Sequence, residues 1–347
     1  MSRLLTYAPY GKRDDVLFLE EMNALTKKHI EGCQEYNRLW SDWRVSDAIE
    51  DLPFLHVGLF KYLELKTTLQ NAKHNRKLFS SSTSGVSSKI LLDDISSGFQ
   101  AESTTKIFQD FVGVEKRPLL VIDSVKSLYR RGELSARIAA AMSLKPLSSD
   151  IVFLLEDSDN PKSMKWELLV ENLKQHDRLF VYGFSWVLWL CWGNQEFPKE
   201  LEDAIKGKEI VFVHSGGWKK LESTSVDQDK FNRTLLDGLS PNSKVIDYYG
   251  LVEQVGIVYP LCRFNYRHVP VWADILVRDS YSLESVTGKP GQLQLINTLA
   301  HGAPYHNILT EDLAIIDSEP CDCGRSGKKF KLLGRVPKAE VRGCANV

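Results

Sequence analysis

Apolar residues recur at helical spacing from Val16 to Trp43, where Leu17, Leu19, Met22, Leu25, Ile30, Tyr36, Leu39 and Trp40 predict an amphipathic helix. Asp51-Leu52-Pro53 interrupts that period and opens a short apolar run through Phe60. Farther on, short apolar runs alternate with amphipathic ones. Strands are expected at 119–123, 151–155, 179–182, 210–214 and 244–248, and helices at 133–144, 163–176, 198–206 and 227–236. Such alternation predicts an α/β fold, a mostly parallel sheet with helices on both faces and ligands at the carboxyl ends of its strands. From Val255 onward the pattern changes to strands alone, at 271–277, 292–297, 313–316 and 330–333. Gly288, Pro290, Gly291, Gly302 and Pro304 punctuate them, as expected of a smaller β-rich subdomain of distorted-barrel type. The expected divisions are a helical N-terminal scaffold (1–78), an α/β core (79–254), the β-rich subdomain (255–335) and a hinge and tail (336–347).

Composition narrows the class. With 347 residues, 43% of them apolar, the chain can bury a large core in two or more packed units. A net charge of −1, with Lys and Arg dispersed, gives no reason to expect a nucleic-acid partner. The polar stretch from Met1 to Asp15 has no apolar centre of the kind a signal peptide needs. The longest apolar run, from Leu179 to Trp192, is broken by Tyr182, Gly183 and Ser185 and is too short to span a membrane. Six cysteines in a chain of this length do not suggest a disulfide scaffold. A soluble, reducing, cytoplasmic setting is expected.

Four stretches carry candidate chemistry. Phe79-Ser80-Ser81-Ser82-Thr83-Ser84-Gly85-Val86-Ser87-Ser88-Lys89 gathers hydroxyls around one glycine and closes on a lysine. Backbone N–H groups and hydroxyls in a tight loop suit phosphate oxygens, and Lys89 adds a point charge. Spaced glycines and a Gly-Lys-Ser/Thr ending are missing, so this is no Walker A loop, and a flexible linker is the competing reading. Tyr249-Gly250-Leu251-Val252-Glu253 puts an aromatic face that can stack on a purine beside a carboxylate that can hold Mg²⁺. A buried Tyr next to a surface Glu is the alternative. Asp312, after Thr310 and Glu311, can accept hydrogen bonds from ribose hydroxyls, and Arg335, after Gly334, can reach a phosphate or ribose.

A second constellation is Cys262, His268, Cys321 and Cys323. Two soft ligands on each of two neighbouring loops can close a tetrahedral structural zinc site, and packed cysteines beside a solvent histidine are the alternative. The aromatic run from Tyr182 to Trp192 either walls an acyl tunnel or is plain core. Gly216, Gly217 and Trp218 lead to Lys219 in a turn that either faces substrate or lies on the surface.

In their order and spacing, the Ser-rich loop, the Tyr-Gly-x-x-Glu stretch, Asp312 and Gly334-Arg335 resemble the adenylate-forming superfamily. His214-Ser215-Gly216-Gly217-Trp218-Lys219, Thr310-Glu311-Asp312, Cys321-Asp322-Cys323-Gly324-Arg325 and the ending from Gly334 to Cys344 are similar to the acyl-protein synthetase family, which includes the synthetase component of the bacterial bioluminescence fatty-acid reductase. The likeness extends to Thr26 through Tyr36 and to Pro53-Phe54-Leu55, and so covers nearly the whole chain. It implies an adenylate-forming large domain and ATP-dependent activation of a carboxylic acid, with a fatty acid as the expected substrate. Acyl transfer to a cysteine thiol and delivery to an acyl-CoA-reductase-like or acyltransferase partner would follow.

In that reading Ser80, Ser81, Thr83, Ser84, Gly85 and Lys89 cradle polyphosphate, Tyr249 stacks on adenine, and Gly250 is a nucleotide-binding neighbour. Glu253 holds Mg²⁺, Asp312 binds ribose, Arg335 contacts the nucleotide, and Gly216, Gly217 and Trp218 face the acid. Cys344 takes the acyl group, with Arg342 and Lys338 favouring its thiolate. Ser82, Ser84 and Ser87 stand where the family usually has Gly, Thr and Pro, and Val252 where a hydroxyl residue precedes the glutamate. One missing hydrogen bond of this kind weakens binding by about 1 kcal/mol. The chain ends at Val347, past the hinge, without the C-terminal domain and catalytic lysine of coenzyme A ligases, which favours a built-in acceptor. The alternatives are an acid–thiol ligase that uses coenzyme A or a carrier-protein phosphopantetheine, and a non-catalytic binding subunit.

Overall fold

The computed structural model describes residues 2–68, 73–74, 76–79, 88–127, 134–158, 160–216, 225–254 and 256–337, with 134–137 described for backbone only. Its central sheet runs in the order Tyr259–Pro260, Lys244–Tyr249, Glu209–Ser215, Arg178–Phe184, Arg117–Val121, Ser148–Phe153. Neighbours are parallel except Tyr259–Pro260, which turns back antiparallel with Tyr259 opposite Tyr249. Burial on both faces explains why Leu119–Val121, Leu179–Tyr182 and Ile210–Val213 are unbroken apolar runs. Leu179 and Val181 point into one core with Leu169 and Leu173 of helix Trp166–Gln175, Leu201 of Lys199–Ile205 and Leu235 of Gln228–Leu236. Phe180 and Tyr182 point the other way, toward Phe108 and Val112 of helix Asp94–Val112 and Ala141 of Ala136–Met142. The period-two alternation thus builds three layers, helix–sheet–helix.

A second, antiparallel sheet is ordered Arg267–His268, Lys329–Arg335, Asn307–Asp317, Gly291–Asn297, Ala273–Arg278, and Leu55–His56 joins Asn307–Asp317 in parallel. Among the described residues its end strands do not pair, so it is an open sheet where the sequence pattern suggested a distorted barrel. Leu4, Leu5, Leu17, Phe18 and Met22 from the N-terminal segment share its core with Trp272, Ile275, Leu295 and Phe330. A small third sheet pairs Arg76–Phe79 antiparallel with Lys89–Leu92, Phe79 opposite Lys89.

Three elements depart from the sequence reading. The first helix is two, Asp15–Gly32 and Gln34–Trp40, because Cys33 is extended (φ −127°, ψ 109°). Its N–H closes the first helix on His29 O, and its carbonyl opens the second by accepting from Asn37 N. The helix expected from Glu133 starts at Ala136, after a two-residue strand, Leu134–Ser135. Helix Asp94–Val112 has no counterpart in the apolar pattern, because Ser96, Ser103 and Thr104 occupy its inward face. Asp93 caps it by accepting from Ser96 N at 2.7 Å. No helix of the described residues is long and apolar enough to cross a membrane.

Candidate active site

The site grows from the carboxyl end of strand Lys244–Tyr249, where it meets the second sheet. The Tyr249 hydroxyl donates to Asp312 Oδ2 at 2.7 Å. Asp312 stands opposite Arg335 in the antiparallel ladder, beside a register shift between Leu313 and Ala314. The guanidinium of Arg335 approaches within 3.4 Å of Asp312 Oδ1. Thr310 fixes the carboxylate's backbone, since its Oγ1 accepts from Asp312 N at 3.1 Å and donates to Leu293 O at 2.7 Å. Burial pushes the Tyr249 phenol well above its ordinary value and the Asp312 charge adds to this, so the ring stays a protonated donor.

Glu253 lies four residues beyond Tyr249 and is buried, 4% exposed. Burial pushes its carboxyl above the ordinary carboxylate value, the Ser88 hydroxyl bonded to it and the charge of Lys61 pull it down, and Asp312 pushes it up. Asp312 thus acts on Glu253, and Ser88, which adjoins Lys89, hydrogen-bonds the glutamate. Lys89 itself is exposed and its charge reaches Glu64. Gly250 is exposed at the start of the turn. Ser80, Ser81, Thr83, Ser84, Gly85, Gly217, Trp218 and Cys344 lie outside the described residues.

The turn that carries Glu253 is braced from behind. Gly256 is left-handed (φ +65°), and a Cβ there would stand 2.4 Å from Gln100 Cα. Its carbonyl accepts from Ser103 Oγ at 2.7 Å and Thr104 Oγ1 at 3.2 Å, so the unforeseen helix Asp94–Val112 positions the glutamate.

Asp247, two residues before Tyr249 on the same strand, lines a cavity of about 220 Å³ together with Ser185, His214, Gly216, Val226, Gln228 and Phe231. Its polar groups come from the carboxyl ends of three parallel strands, the placement expected of ligand sites in such sheets. Ser185 Oγ is 2.6 Å from Gly216 O and 2.9 Å from His214 Nδ1. One hydroxyl proton cannot serve both, so it goes to the carbonyl and His214 Nδ1–H donates to Ser185. His214 Nε2 is then a bare acceptor, buried without a partner. Burial also lowers this imidazole's pKa, against the pull of Asp247, so the ring is neutral. No spacing in the sequence joins Ser185, His214 and Asp247; only the order of the strands does.

The aromatic run from Tyr182 to Trp192 forms a strand end, the helix Ser185–Leu188 and a π-turn whose Trp189, Cys191 and Trp192 are core. Phe184 packs on that core too, and only Ser185 of the run reaches the cavity. Cys262, His268, Cys321 and Cys323 do converge, but at the opposite end of strand Lys329–Arg335 from Arg335.

The sequence profile of the family described as "Acyl-protein synthetase, LuxE" matches residues 9–347. The chain is 25% identical over 327 residues to the long-chain-fatty-acid–luciferin-component ligase of Aliivibrio fischeri, covering 91% of this chain and 84% of that protein. It is 22% identical over 361 residues to the Vibrio harveyi ligase of the same name, covering 96% and 91%. Among solved structures, an open conformation of 2-hydroxyisobutyryl-CoA ligase in complex with 2-HIB-AMP and CoA superimposes with a TM-score of 0.66 at 12% identity, covering 93% of this chain and 70% of that one. The fold is therefore that of the adenylate-forming ligases.

Proposed function

The chain belongs to the acyl-protein synthetase (LuxE) family, and from that premise we propose that it activates a long-chain fatty acid with ATP and loads the acyl group onto its own Cys344. A carboxylate has no leaving group fit for thiol attack at neutral pH. One of its oxygens attacks the α-phosphorus of ATP, the bond to the β-phosphate bridging oxygen breaks, and pyrophosphate leaves. The Cys344 thiolate then attacks the acyl carbon of the adenylate, and AMP departs with the carboxyl-derived oxygen. The thioester so formed serves an acyl-CoA-reductase-like or acyltransferase partner in the cytoplasm.

The observation that carries this reading is the joining of Tyr249, Glu253, Asp312 and Arg335 at one sheet end, next to a cavity walled by acceptors. Asp312 spends one oxygen on Tyr249 and approaches Arg335 with the other; a carboxylate has about four lone-pair sites, enough to take ribose hydroxyls as well. His214 Nε2, and the Asp247 oxygen that Arg267 leaves unengaged, are acceptors that suit the exocyclic amine of adenine, on which Tyr249 would stack with Gly250 beside it. Ser80, Ser81, Thr83, Ser84, Gly85 and Lys89 would hold the phosphates, and Gly216, Gly217 and Trp218 the acid's carboxyl end.

Mg²⁺ fits the donor set, because burial and the nearby Asp312 raise the cost of charge on Glu253 and a cation would relieve it. It would be held by Glu253 and supply charge neutralisation on the phosphates. What the chain's own residues do is orient: Ser88 hydrogen-bonds Glu253, the Lys61 charge offsets part of the cost of burying it, and Tyr249 fixes Asp312.

The test is to incubate the protein with ATP, Mg²⁺ and radiolabelled long-chain fatty acid and separate it on a denaturing gel. The expected result is a hydroxylamine-sensitive label lost in Cys344→Ser. A label that persists in that variant removes Cys344 as acceptor. Label that appears only on added coenzyme A or carrier protein replaces self-acylation with the acid–thiol ligase reading.

A further inference from the structure

Three thiols and one imidazole converge away from the nucleotide residues, and nothing in the proposed reaction uses them. Cys262 opens a tight turn in which its N–H donates to Tyr266 O at 2.8 Å and Asn265 N returns to Cys262 O at 2.9 Å. Asn265 takes a left-handed conformation (φ +60°) to make this turn, and the chain then delivers His268 as the last residue of strand Arg267–His268. Cys321 and Cys323 sit on a second tight turn, closed by Gly324 N donating to Cys321 O at 3.0 Å, with Gly324 at φ +84°. Two backbone turns thus aim one pair of ligands each at a common point, the arrangement of a zinc knuckle facing its partner.

The distances fit a bound ion and no covalent link. All four ligand atoms lie within 4.8 Å of one another. Cys262 Sγ and Cys321 Sγ are 3.9 Å apart, nearly twice the ~2.05 Å of a disulfide. A regular tetrahedron with Zn–S arms of about 2.3 Å has edges of about 3.8 Å. Cys323 Sγ and His268 Nε2 are 3.1 Å apart. His268 is fully buried, and among the described residues its Nδ1 has no partner and the ring's only polar contact is the one inside the cluster.

We infer that Cys262, His268, Cys321 and Cys323 bind one Zn²⁺ in a closed Cys₃His site that clamps the second sheet to helix Asp94–Val112. Thiolates and imidazole select a soft or borderline metal over Mg²⁺ or Ca²⁺, and four protein ligands leave no open position for chemistry. The clamp is visible in what the second turn carries. Arg325, two residues after Cys323, donates from Nε to Asp110 Oδ1 at 2.7 Å and lays its guanidinium 3.7 Å from the centre of the Phe111 ring. Both partners belong to the last turn of the helix whose middle braces Glu253. Fixing the Cys321–Cys323 turn fixes Arg325, and Arg325 holds the helix end. This site stands on its own residues, whether or not the nucleotide assignment holds.

The test is metal analysis of the full-length protein purified under reducing conditions without chelator. About one zinc per chain is expected, together with release on titration of the thiols by an organomercurial, monitored by a zinc-binding dye. Protein grown with Co²⁺ should show the visible ligand-field bands of a tetrahedral thiolate site. Cys323→Ser should lose most of the metal, and Cys191→Ser, in the central core, should keep it. Should Cys323→Ser fail to fold, the wild-type stoichiometry and cobalt spectrum decide alone. Absence of zinc with no cobalt spectrum, or a Cys262–Cys321 disulfide in protein handled anaerobically, overturns the assignment. Retention of full zinc in Cys323→Ser does the same.

Discussion

The hydroxyl of Tyr249 and the carboxylate of Asp312 join two sheets that share no strand, at 2.7 Å. One residue ends the central parallel sheet and the other lies within the antiparallel sheet, so the bond fixes how the two halves of the site face each other. Asp312→Asn keeps the side chain's size and removes the charge that would take the ribose. Hydrogen bonds to charged groups contribute about 1.5–3 kcal/mol each, so kcat/KM for ATP should fall about 10- to 100-fold. Tyr249→Phe should fall about 10-fold, with the greater part in KM. Unchanged ATP kinetics in Asp312→Asn would remove this residue from the site.

Glu253 should trade stability against activity. Its carboxyl is raised in the folded protein, so the unfolded chain ionises first as pH rises, and Glu253 costs stability above its ordinary range of about 4.5. Glu253→Gln should therefore melt at the same temperature as wild type or higher while losing Mg²⁺-dependent turnover. Thermal melts with and without Mg-ATP check this: the wild type should gain stability from Mg-ATP and the variant little. A variant that melts lower yet keeps full turnover would contradict the role.

Gly256→Ala should be the most costly single methyl in this region. A non-glycine residue at φ +65° costs about 1–2 kcal/mol, and the added carbon would meet the backbone of Gln100. A drop in Tm of about 5 °C or more is expected, given about 2–4 °C per kcal/mol for domains of 150–250 residues. ATP binding should weaken with it, because the displaced turn carries Glu253.

Acid should weaken the fold through His306. Burial among Thr26, His29 and Tyr36, with His301 adding to the effect, pushes its imidazole down to about 3. The folded state therefore refuses a proton that the unfolded chain takes below about pH 6.5. Stability is full above that pH and declines as pH falls toward 3, by about 2 kcal/mol at pH 5 from this residue alone. Denaturant melts at pH 7.5 and 5 measure the loss, and His306→Gln should shrink the difference. Equal stability of the wild type at both pH values would refute it.

Much of this architecture is legible in the sequence, for reasons tied to particular residues. Leu179 to Tyr182 and Ile210 to Val213 read as strands because burial on both faces leaves them wholly apolar. Glu253, Asp312 and Arg335 could be singled out because their motifs keep order and spacing along the chain. Helix Asp94–Val112 stayed hidden because its inward hydroxyls bond to Gly256 O and to the Trp272 indole N–H instead of packing as hydrocarbon. The break at Cys33 stayed hidden because no Gly or Pro announces it. Ser185, His214 and Asp247 were unreadable as a group, since strand order alone makes neighbours of residues 29 and 33 positions apart.

The central claim is that this chain adenylates an organic acid, and pyrophosphate–ATP exchange measures that step without reference to the acceptor. Wild-type protein with Mg²⁺ should incorporate labelled pyrophosphate into ATP only when a carboxylic acid is present. Long-chain fatty acids should be the best substrates, Asp312→Asn should be crippled, and Cys344→Ser should exchange normally. Absence of exchange with every acid in a broad panel, from a folded protein that carries its metal, would contradict the account.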